Sequence, residues 1–434
     1  MYFLLFLTAF LINIPFGYWR EGTPKFSLKW FFWIHASIPL LIYLRLIWHI
    51  SAWVIPLSIF WAVVGQVMGS RLRRKRMKRQ EKESLEQIPD LNLPSSFRAP
   101  ENEAIVVLLN MGGPKTNDDV ASFQKQLFSD SLLIRFPLSF LFQKFFAQAL
   151  VTFRLKKSKA RYRLIGGGSP IYSSTQAQAQ ALQKELKQRG KEMDVIFSFN
   201  YSPPFPEDTI QEIKAKGKKY IYPLSLYPHY SKATTGSNLH YLKLAAKKIY
   251  PELQFLNLSS YYIRDGYIEA FVDRVKESVG QEESLDDFYL IFSAHGLPLY
   301  FLGNGDPYPF QVHQTVSKIL TQLGRTKNWV ISYQSAVGPF QWLKPSTDAI
   351  LNSLASRNIK KILVIPVSFV GDHIESLCEI DIEYRHMAKK LGIKDFRMTK
   401  ALECHPQFIK VLADCVEETI CQEKTLQKEG SIHG

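Results

Sequence analysis

"AIVVLLNMGGP", residues 104–114, is an unbroken apolar run closed by a Gly-Pro turn, and it returns later in the chain as "FYLIFSAHGLP", residues 288–298. A continuous run of this kind reads as a strand buried on both faces, as in a parallel sheet covered by helices. Set side by side, residues 109–114 match residues 293–298, with Met111 opposite His295. A second pair repeats in the same order. "KKYIYPLSLYPHYS" (218–231) and "KKILVIPVSFVGDHIES" (360–376) each run from a Lys pair through a strand to Pro-x-Ser and then a His. Two strands recurring in one order predict two similar α/β halves that meet near residues 265–285. In open α/β sheets ligands gather outside the carboxyl ends of the strands. That rule sets Met111, His229, His295 and His373 around one cleft between the halves.

Upstream of this repeat the chain is of another kind. Residues 2–18, 30–48 and 52–68 are strongly apolar, each close to the ~20 residues that cross a bilayer. Trp30, Trp33, Trp48 and Trp53 fall near their ends, where amphipathic rings favour the interface. Residues 2–18 lack a basic n-region and an A-x-A site, so an uncleaved span is expected there and not a signal peptide. Arg20, Lys25 and Lys29 lie in the first loop, and the run "RLRRKRMKR" (71–79) follows the third stretch. Both belong on the cytoplasmic side, which puts the N-terminus outside and the large domain inside. His35 and Arg45 in the second stretch leave a re-entrant segment as the alternative. The expected organisation is a membrane segment over 1–70, the polybasic run and a Pro-punctuated linker over 71–103, a first half over 104–275 and a second over 276–425.

The net charge of +15 over 434 residues suggests a nucleic-acid binder at first. Seven of the nine residues from 71 to 79 are basic, however, and the remaining balance is only mildly so. No zinc-finger, helix-turn-helix or RNA-binding signature accompanies the run, so no nucleic acid is expected as a partner. Beside a membrane the same run attracts anionic headgroups, at about 1 kcal/mol per Lys or Arg. Cys378, Cys404, Cys415 and Cys421 form no C-x-x-C pair, which argues against a zinc site and for a reducing compartment.

His295 stands just past a buried strand, with Gly296 allowing a sharp turn. Farther on, Glu375, Glu379 and Glu383 follow at intervals of four and stack along one face of a helix, although like charges there repel by a few tenths of a kcal/mol. Asp372 is placed to cap that helix, and the helix dipole favours Glu375. Glu379 and Glu383 lie too deep for that account. They form either a solvated face or a track for a cation or for protons. A His near a carboxylate accepts protons near neutral pH and holds a divalent metal transiently. "YRLIGGGSPIY" (162–172) lacks the Lys or the spacing of a phosphate loop. Its glycines let the backbone approach something flat, or make a tight turn. "FPLSFLFQKFFAQALVTF" (136–153) is too aromatic for an ordinary exposed helix; it is core, or an apolar lip for a membrane-soluble ligand.

Together these stretches resemble ferrochelatase, the family that inserts ferrous iron into a porphyrin. The similarity runs from about residue 104 to about residue 416 and is carried by "LLNMGGP", "YRLIGGGSPIY", "YPHYSKATTGS", "FSAHGLP", "GDPYPFQ", "YQSAVGPFQWLKP", "PVSFVGDHIESL" and "EIDIEY". It implies two Rossmann-like, chelatase-type halves around a porphyrin cleft, with the N-terminal transmembrane helices as an addition to the usual family domain. It further implies that His295 accepts a proton and contacts the metal, with Glu375 as its partner in both roles. Asp372, His373, Glu379 and Glu383 match the metal or proton path. Met111, Tyr172, Asn200, Tyr201, Trp342 and Phe369 match the porphyrin-binding wall, although Asn200 stands where many relatives have Arg. Some relatives hold a two-iron cluster through C-terminal cysteines. Cys404, Cys415 and Cys421 do not reproduce that spacing, so no iron–sulfur cluster and no cofactor beyond the substrate iron is expected.

The expected reaction inserts ferrous iron into protoporphyrin IX, forming haem and releasing two protons, as the terminal step of haem biosynthesis. The rivals are a chelatase for coproporphyrin or sirohydrochlorin and a non-catalytic membrane porphyrin carrier. Intact "SAHGLP" and "DHIE" motifs favour an enzyme, and the aromatic stretch and membrane segment favour the greasier porphyrin. The expected setting is a bacterial cytoplasmic membrane with the catalytic domain in the cytoplasm. Membrane lipid and the preceding oxidase of the pathway are the expected partners.

Overall fold

Each repeated apolar run forms the second strand of a four-stranded parallel sheet. The first sheet comprises β1 (Ala104–Asn110), β2 (Val195–Phe199), β3 (Tyr220–Ser225) and β4 (Gln254–Phe255), in the order β2-β1-β3-β4. The second comprises β5 (Tyr289–His295), β6 (Trp329–Gln334), β7 (Lys361–Pro366) and β8 (Asp395–Met398), in the order β6-β5-β7-β8. The orders are identical and every ladder is parallel. The expectation of two similar α/β halves therefore holds. Ile105, Val106, Val107 and Leu108 of β1 have no exposed surface, nor have Leu290, Ile291 and Phe292 of β5, because helices cover both faces of each sheet. That is why both runs are apolar without alternation.

The repeated Pro-x-Ser also has a structural reason. Pro223 lies beyond the two residues at which β3 pairs with β4, and Pro366 beyond the four at which β7 pairs with β8. Neither missing N–H interrupts those ladders. The halves share one core in which Leu108 and Tyr222 of the first sheet belong with Phe292 and Leu363 of the second. The helix Pro406–Glu417 returns to the first half, where Arg189 donates to Asp414 at 2.6 Å and to Glu417 at 3.0 Å.

The computed structural model describes residues 2–23, 27–86, 98–130, 132–133, 139–256, 260–303, 305–336 and 341–418. Lys25, Cys421 and residues 87–97 of the expected linker lie outside the described residues, as do residues 136–138 at the start of the aromatic stretch. The chain divides into a first unit within residues 1–88 and a second made almost wholly of the chain beyond.

In the first unit, α1 (Tyr2–Arg20), α2 (Leu28–His35), α3 (Ile38–Ile47) and α4 (Ile55–Glu86) provide three stretches long and apolar enough to cross a membrane, Tyr2–Arg20, Leu28–Ile47 and Ala52–Arg73. Helices α1 and α4 run parallel: Gly65 abuts Phe10, Gly69 abuts Ile14 and Tyr18, and Arg73 donates to the carbonyl of Tyr18. Small residues let the backbones approach, as is usual between helices in lipid. The middle stretch is broken at Ala36 and Ser37. Polar side chains satisfy the break. Gln66 donates to the carbonyls of Trp33 at 3.2 Å and Ile34 at 3.1 Å, and Ser37 donates to the side-chain oxygen of Asn13 at 3.0 Å. Helix α4 continues through the basic run as far as Glu86. The segment after the run is rich in Glu and Lys, which favour helix.

Candidate active site

His295 closes β5, the strand second in its sheet, and projects at the carboxyl end of that sheet. Its backbone is fixed on both sides: the N–H donates to Ser368 Oγ at 2.9 Å and the carbonyl accepts the Tyr308 hydroxyl at 2.9 Å. Gly296 is required by close approach and not by an unusual backbone angle, because a Cβ there would meet the Gln334 carbonyl at 2.6 Å and the Trp342 ring at 3.2 Å. Trp342 thus lies against the turn that carries His295, and Pro298 bridges to it.

The ring of His295 meets Glu375, with Nδ1 at 2.8 Å from Oε2, and the two side chains remain 38% and 22% exposed. Glu375 opens the segment Glu375–Tyr384, which follows β7 and is a π-helix. The expected α-helix is therefore corrected: backbone bonds run five residues back, as from Arg385 N–H to Ile380. A spacing of four falls short of one such turn, so successive glutamates are stepped and not strictly stacked. Asp372 is not the cap. Its carboxylate accepts the Ser376 hydroxyl at 2.9 Å, while its N–H donates to Glu403 Oε1 at 2.7 Å. His373 packs on Phe369 with ring centroids 4.0 Å apart and brings Nε2 to 3.5 Å from Glu375 Oε2. That separation is too long for a hydrogen bond, and neither buried nitrogen of His373 finds a partner among the described residues. Phe369 also stands edge-on to His295 at 6.2 Å.

Each glutamate of the ladder has a different companion. Glu379 accepts the N–H of Ser335 at 2.8 Å, the hydroxyl of Ser335 at 2.7 Å and the phenol of Tyr384 at 3.2 Å. Glu383 pairs with Arg161 at 2.9 Å, and the same guanidinium lies 3.9 Å from Glu379. Glu379 is 12% exposed and Glu383 44%, so the ladder leads from the interior to the surface. Burial alone would lower the His295 pKa, but the Glu375 carboxylate, with help from Glu379, holds it above the ordinary value. Burial would raise Glu375, and here the charge and hydrogen bond of His295, with the nearby His373 ring adding to them, hold it well below. Glu379 is pushed up, by burial first and the Glu375 charge second. An imidazole, its carboxylate partner and a second carboxylate of higher proton affinity thus stand in a row. Among the described residues no three His, Cys, Asp or Glu side chains gather as a ligand set for a resident metal.

The first half contributes the residues that follow β1 and β2. Met111 follows β1, its N–H capped by Asn110 Oδ1 at 2.8 Å and its carbonyl accepting the Tyr201 N–H at 3.1 Å. Asn200 and Tyr201 follow β2 on the same rim. Tyr227 joins the two walls. Burial, first, and the Glu375 charge, second, raise its pKa, and the Met111 backbone hydrogen bond opposes them. Tyr227, Tyr308 and Ser335 lie within the motifs quoted above without being singled out there, and Arg161 stands just before one of them. Tyr172 is not brought to the His295–Glu375 pair by any contact seen here; it packs on Phe197 and Phe199 with Lys115 Nζ 3.6 Å above its ring. Its neighbours Gly166 and Gly167 adopt left-handed angles in open space, whereas Gly168 packs on the Lys115 carbonyl. His229 does not open onto the cleft: it is buried, shares a hydrogen bond with Thr315 of the other half at 2.9 Å, and burial pushes its pKa down to about 3. Phe153, in the aromatic stretch, is 87% exposed.

Comparison with known proteins agrees with this geometry. The ferrochelatase family model matches residues 103–420. Ferrochelatase of Synechococcus elongatus is 41% identical over 323 residues, covering 74% of this chain and 83% of its own length. That of Gloeobacter violaceus is 40% identical over 321 residues, covering 73% and 98%. Among solved structures, SirB from Bacillus subtilis with Fe3+ overlaps 59% of this chain and 92% of its own at 16% identity and a TM-score of 0.42, too loose a likeness to argue from.

Proposed function

The chain belongs to the ferrochelatase family, and from that premise we propose that His295 is its proton acceptor and Glu375 the group that steadies the charge. The reaction inserts ferrous iron into protoporphyrin to form haem. Iron enters with two positive charges, so two pyrrole protons must leave. With Nδ1 held by Glu375 at 2.8 Å, the lone pair for a pyrrole proton is on Nε2. The imidazolium that results is stabilised by the carboxylate, whose affinity for a proton is already low. Met111, Tyr201 and Asn200 form the facing wall, with Trp342 and Phe369 beside His295. Glu379 and Glu383 carry protons outward or draw metal inward, and Asp372 and His373 support the start of their helix. No cofactor beyond the substrate iron enters this scheme.

The 2.8 Å contact between His295 and Glu375 at the carboxyl end of β5 carries this reading. Metal insertion is followed by the porphyrin absorption change with ferrous iron and with zinc. His295→Ala and Glu375→Gln should each remove it while porphyrin still binds. Normal turnover in the His295 variant would refute the assignment.

For the membrane unit, the parallel course of α1 and α4 favours three crossings, because the chain between them has to return. The basic end of α4 favours the cytoplasmic side, with the N-terminus outside a bacterial cytoplasmic membrane and the catalytic domain inside. The unit keeps the enzyme beside a lipid-soluble substrate and offers a surface for the oxidase that precedes it. Thiol labelling of single cysteines placed in the 21–27 loop and at residue 2 checks the sidedness: the loop should be protected from an impermeant reagent outside the cell, and residue 2 should react.

A further inference from the structure

The wall opposite His295 is distinctive in where its hydrogen-bond donors point. Asp130 is 3% exposed, and both of its oxygens are fully used. Oδ1 accepts from the Leu132 N–H at 2.7 Å and the Tyr241 phenol at 2.8 Å; Oδ2 accepts from the Tyr201 phenol at 2.5 Å and the Ser237 hydroxyl at 3.1 Å. All four donors are neutral, and among the described residues no Lys, Arg or His pairs with this carboxylate. A buried carboxylate without a countercharge is satisfied by several such donors. Burial and the Asp130 charge accordingly raise the pKa of both Tyr201 and Tyr241.

Asn200 is occupied as well. Its Nδ2 donates to Ser237 Oγ at 3.0 Å, and its Oδ1 accepts from Asn238, which also donates to the Asn110 carbonyl at 2.9 Å. This network stands at the carboxyl ends of β1 and β2 and is tied to the Met111 loop through Tyr201. Its donors are thus turned inward onto a negative charge and away from the substrate space. A carboxylate on a substrate would meet no donor here and would be repelled.

We propose that Asp130 is a specificity-determining residue whose buried charge makes this wall accept only a porphyrin edge that carries no carboxylate. The proposal rests on the porphyrin reading of the cleft. Protoporphyrin has its two propionates on neighbouring rings, which leaves an opposite edge of methyl and vinyl groups. Coproporphyrin carries a propionate on every ring and has no such edge.

The test uses the full chain in detergent, with fluorescence titration of metal-free deuteroporphyrin, which has two carboxylates, against coproporphyrin, which has four. The wild type should bind deuteroporphyrin at least about tenfold more tightly, the order expected of one unscreened charge at cleft range. Asp130→Asn should bring that ratio toward one. Asn200→Arg, which sets a cation beside the intact carboxylate, should do the same. A purely structural role for Asp130 would weaken both porphyrins alike and leave the ratio where it was. Equal wild-type affinities, or a ratio unmoved in both variants, overturn the proposal alone. Binding of neither porphyrin by the wild type overturns the porphyrin reading and the proposal with it.

Discussion

β1 and β5 hold the same place in their sheets, yet β1 leads into Met111 and β5 ends in His295. β3 and β7 are each followed by a π-helix, five residues of Lys232–Gly236 in one half and ten of Glu375–Tyr384 in the other. On the first wall the polar groups are hydroxyls and amides closed around Asp130, with a thioether at the rim. On the second they are an imidazole and the carboxylates of Glu375 and Glu379, whose proton affinities are pushed in opposite directions, with Glu383 beyond them. In the proposed reaction the duplicated scaffold is divided between holding a flat ligand and taking protons from it. The division makes physical sense, since proton transfer needs neighbouring groups whose pKa values are driven apart, whereas a binding wall is best kept from titrating.

The strongest way to break this division is to exchange the demands on the two walls. His295→Ala should lower turnover by about 10²–10⁴-fold, the usual range for a lost general base, while Met111→Leu should cost far less. Equal losses, read from initial rates of zinc insertion, would erase the contrast. Next comes pH. Because Glu375 holds His295 above its ordinary value, the wild-type rate at limiting porphyrin should fall with acidity along a limb above pH ~6.5. In Glu375→Gln any residual activity should show that limb at lower pH, since the raising charge is gone. A limb that stays put would separate the pair. Smaller still, Tyr201→Phe, which takes a donor from buried Asp130 and none from the porphyrin, should lower stability in thermal melts by about 1–3 kcal/mol and leave the pH limb in place.

The last two tests concern stability and tethering. His229 is buried in neutral form with its pKa pushed down to about 3. The unfolded chain therefore binds a proton that the folded chain refuses once pH drops below the ordinary value of 6.5. Stability should fall with acidity from pH 6.5 toward pH 3 by up to about 1.4 kcal/mol per unit from this group, and His229→Gln should flatten part of that slope in thermal melts. The smallest effect expected is none: removing residues 1–80 should leave turnover of detergent-solubilised porphyrin near wild type, and its complete loss would show that the first unit takes part in catalysis.

Legibility differed along the chain for physical reasons. The strands Ala104–Asn110 and Tyr289–His295 declare themselves because burial on both faces leaves no room for polar residues. The ladder declares its spacing but not its winding. The π-helix lies among contacts from remote segments, Ser335 to Glu379 and Arg161 to Glu383, while an i, i+4 pattern fits either kind of turn. Asp130 has no motif at all. Its partners Tyr201, Ser237 and Tyr241 are 71, 107 and 111 residues away, so only the folded chain gathers them. His229 was misplaced by a rule that locates a strand's end without saying which way the side chain turns. The His295–Glu375 partnership was reachable through the family resemblance, since 80 residues of sequence separate the two.

One feature of the first unit reaches beyond it. With α1 and α4 pointing the same way, a bilayer crossed as proposed would be crossed an odd number of times, and parity alone would then decide on which side the remaining four-fifths or so of the polypeptide stands. The interrupted stretch Leu28–Ile47 sets that parity. A charge inserted there would spare the His295–Glu375 pair and change only which side of a bilayer the second unit faces.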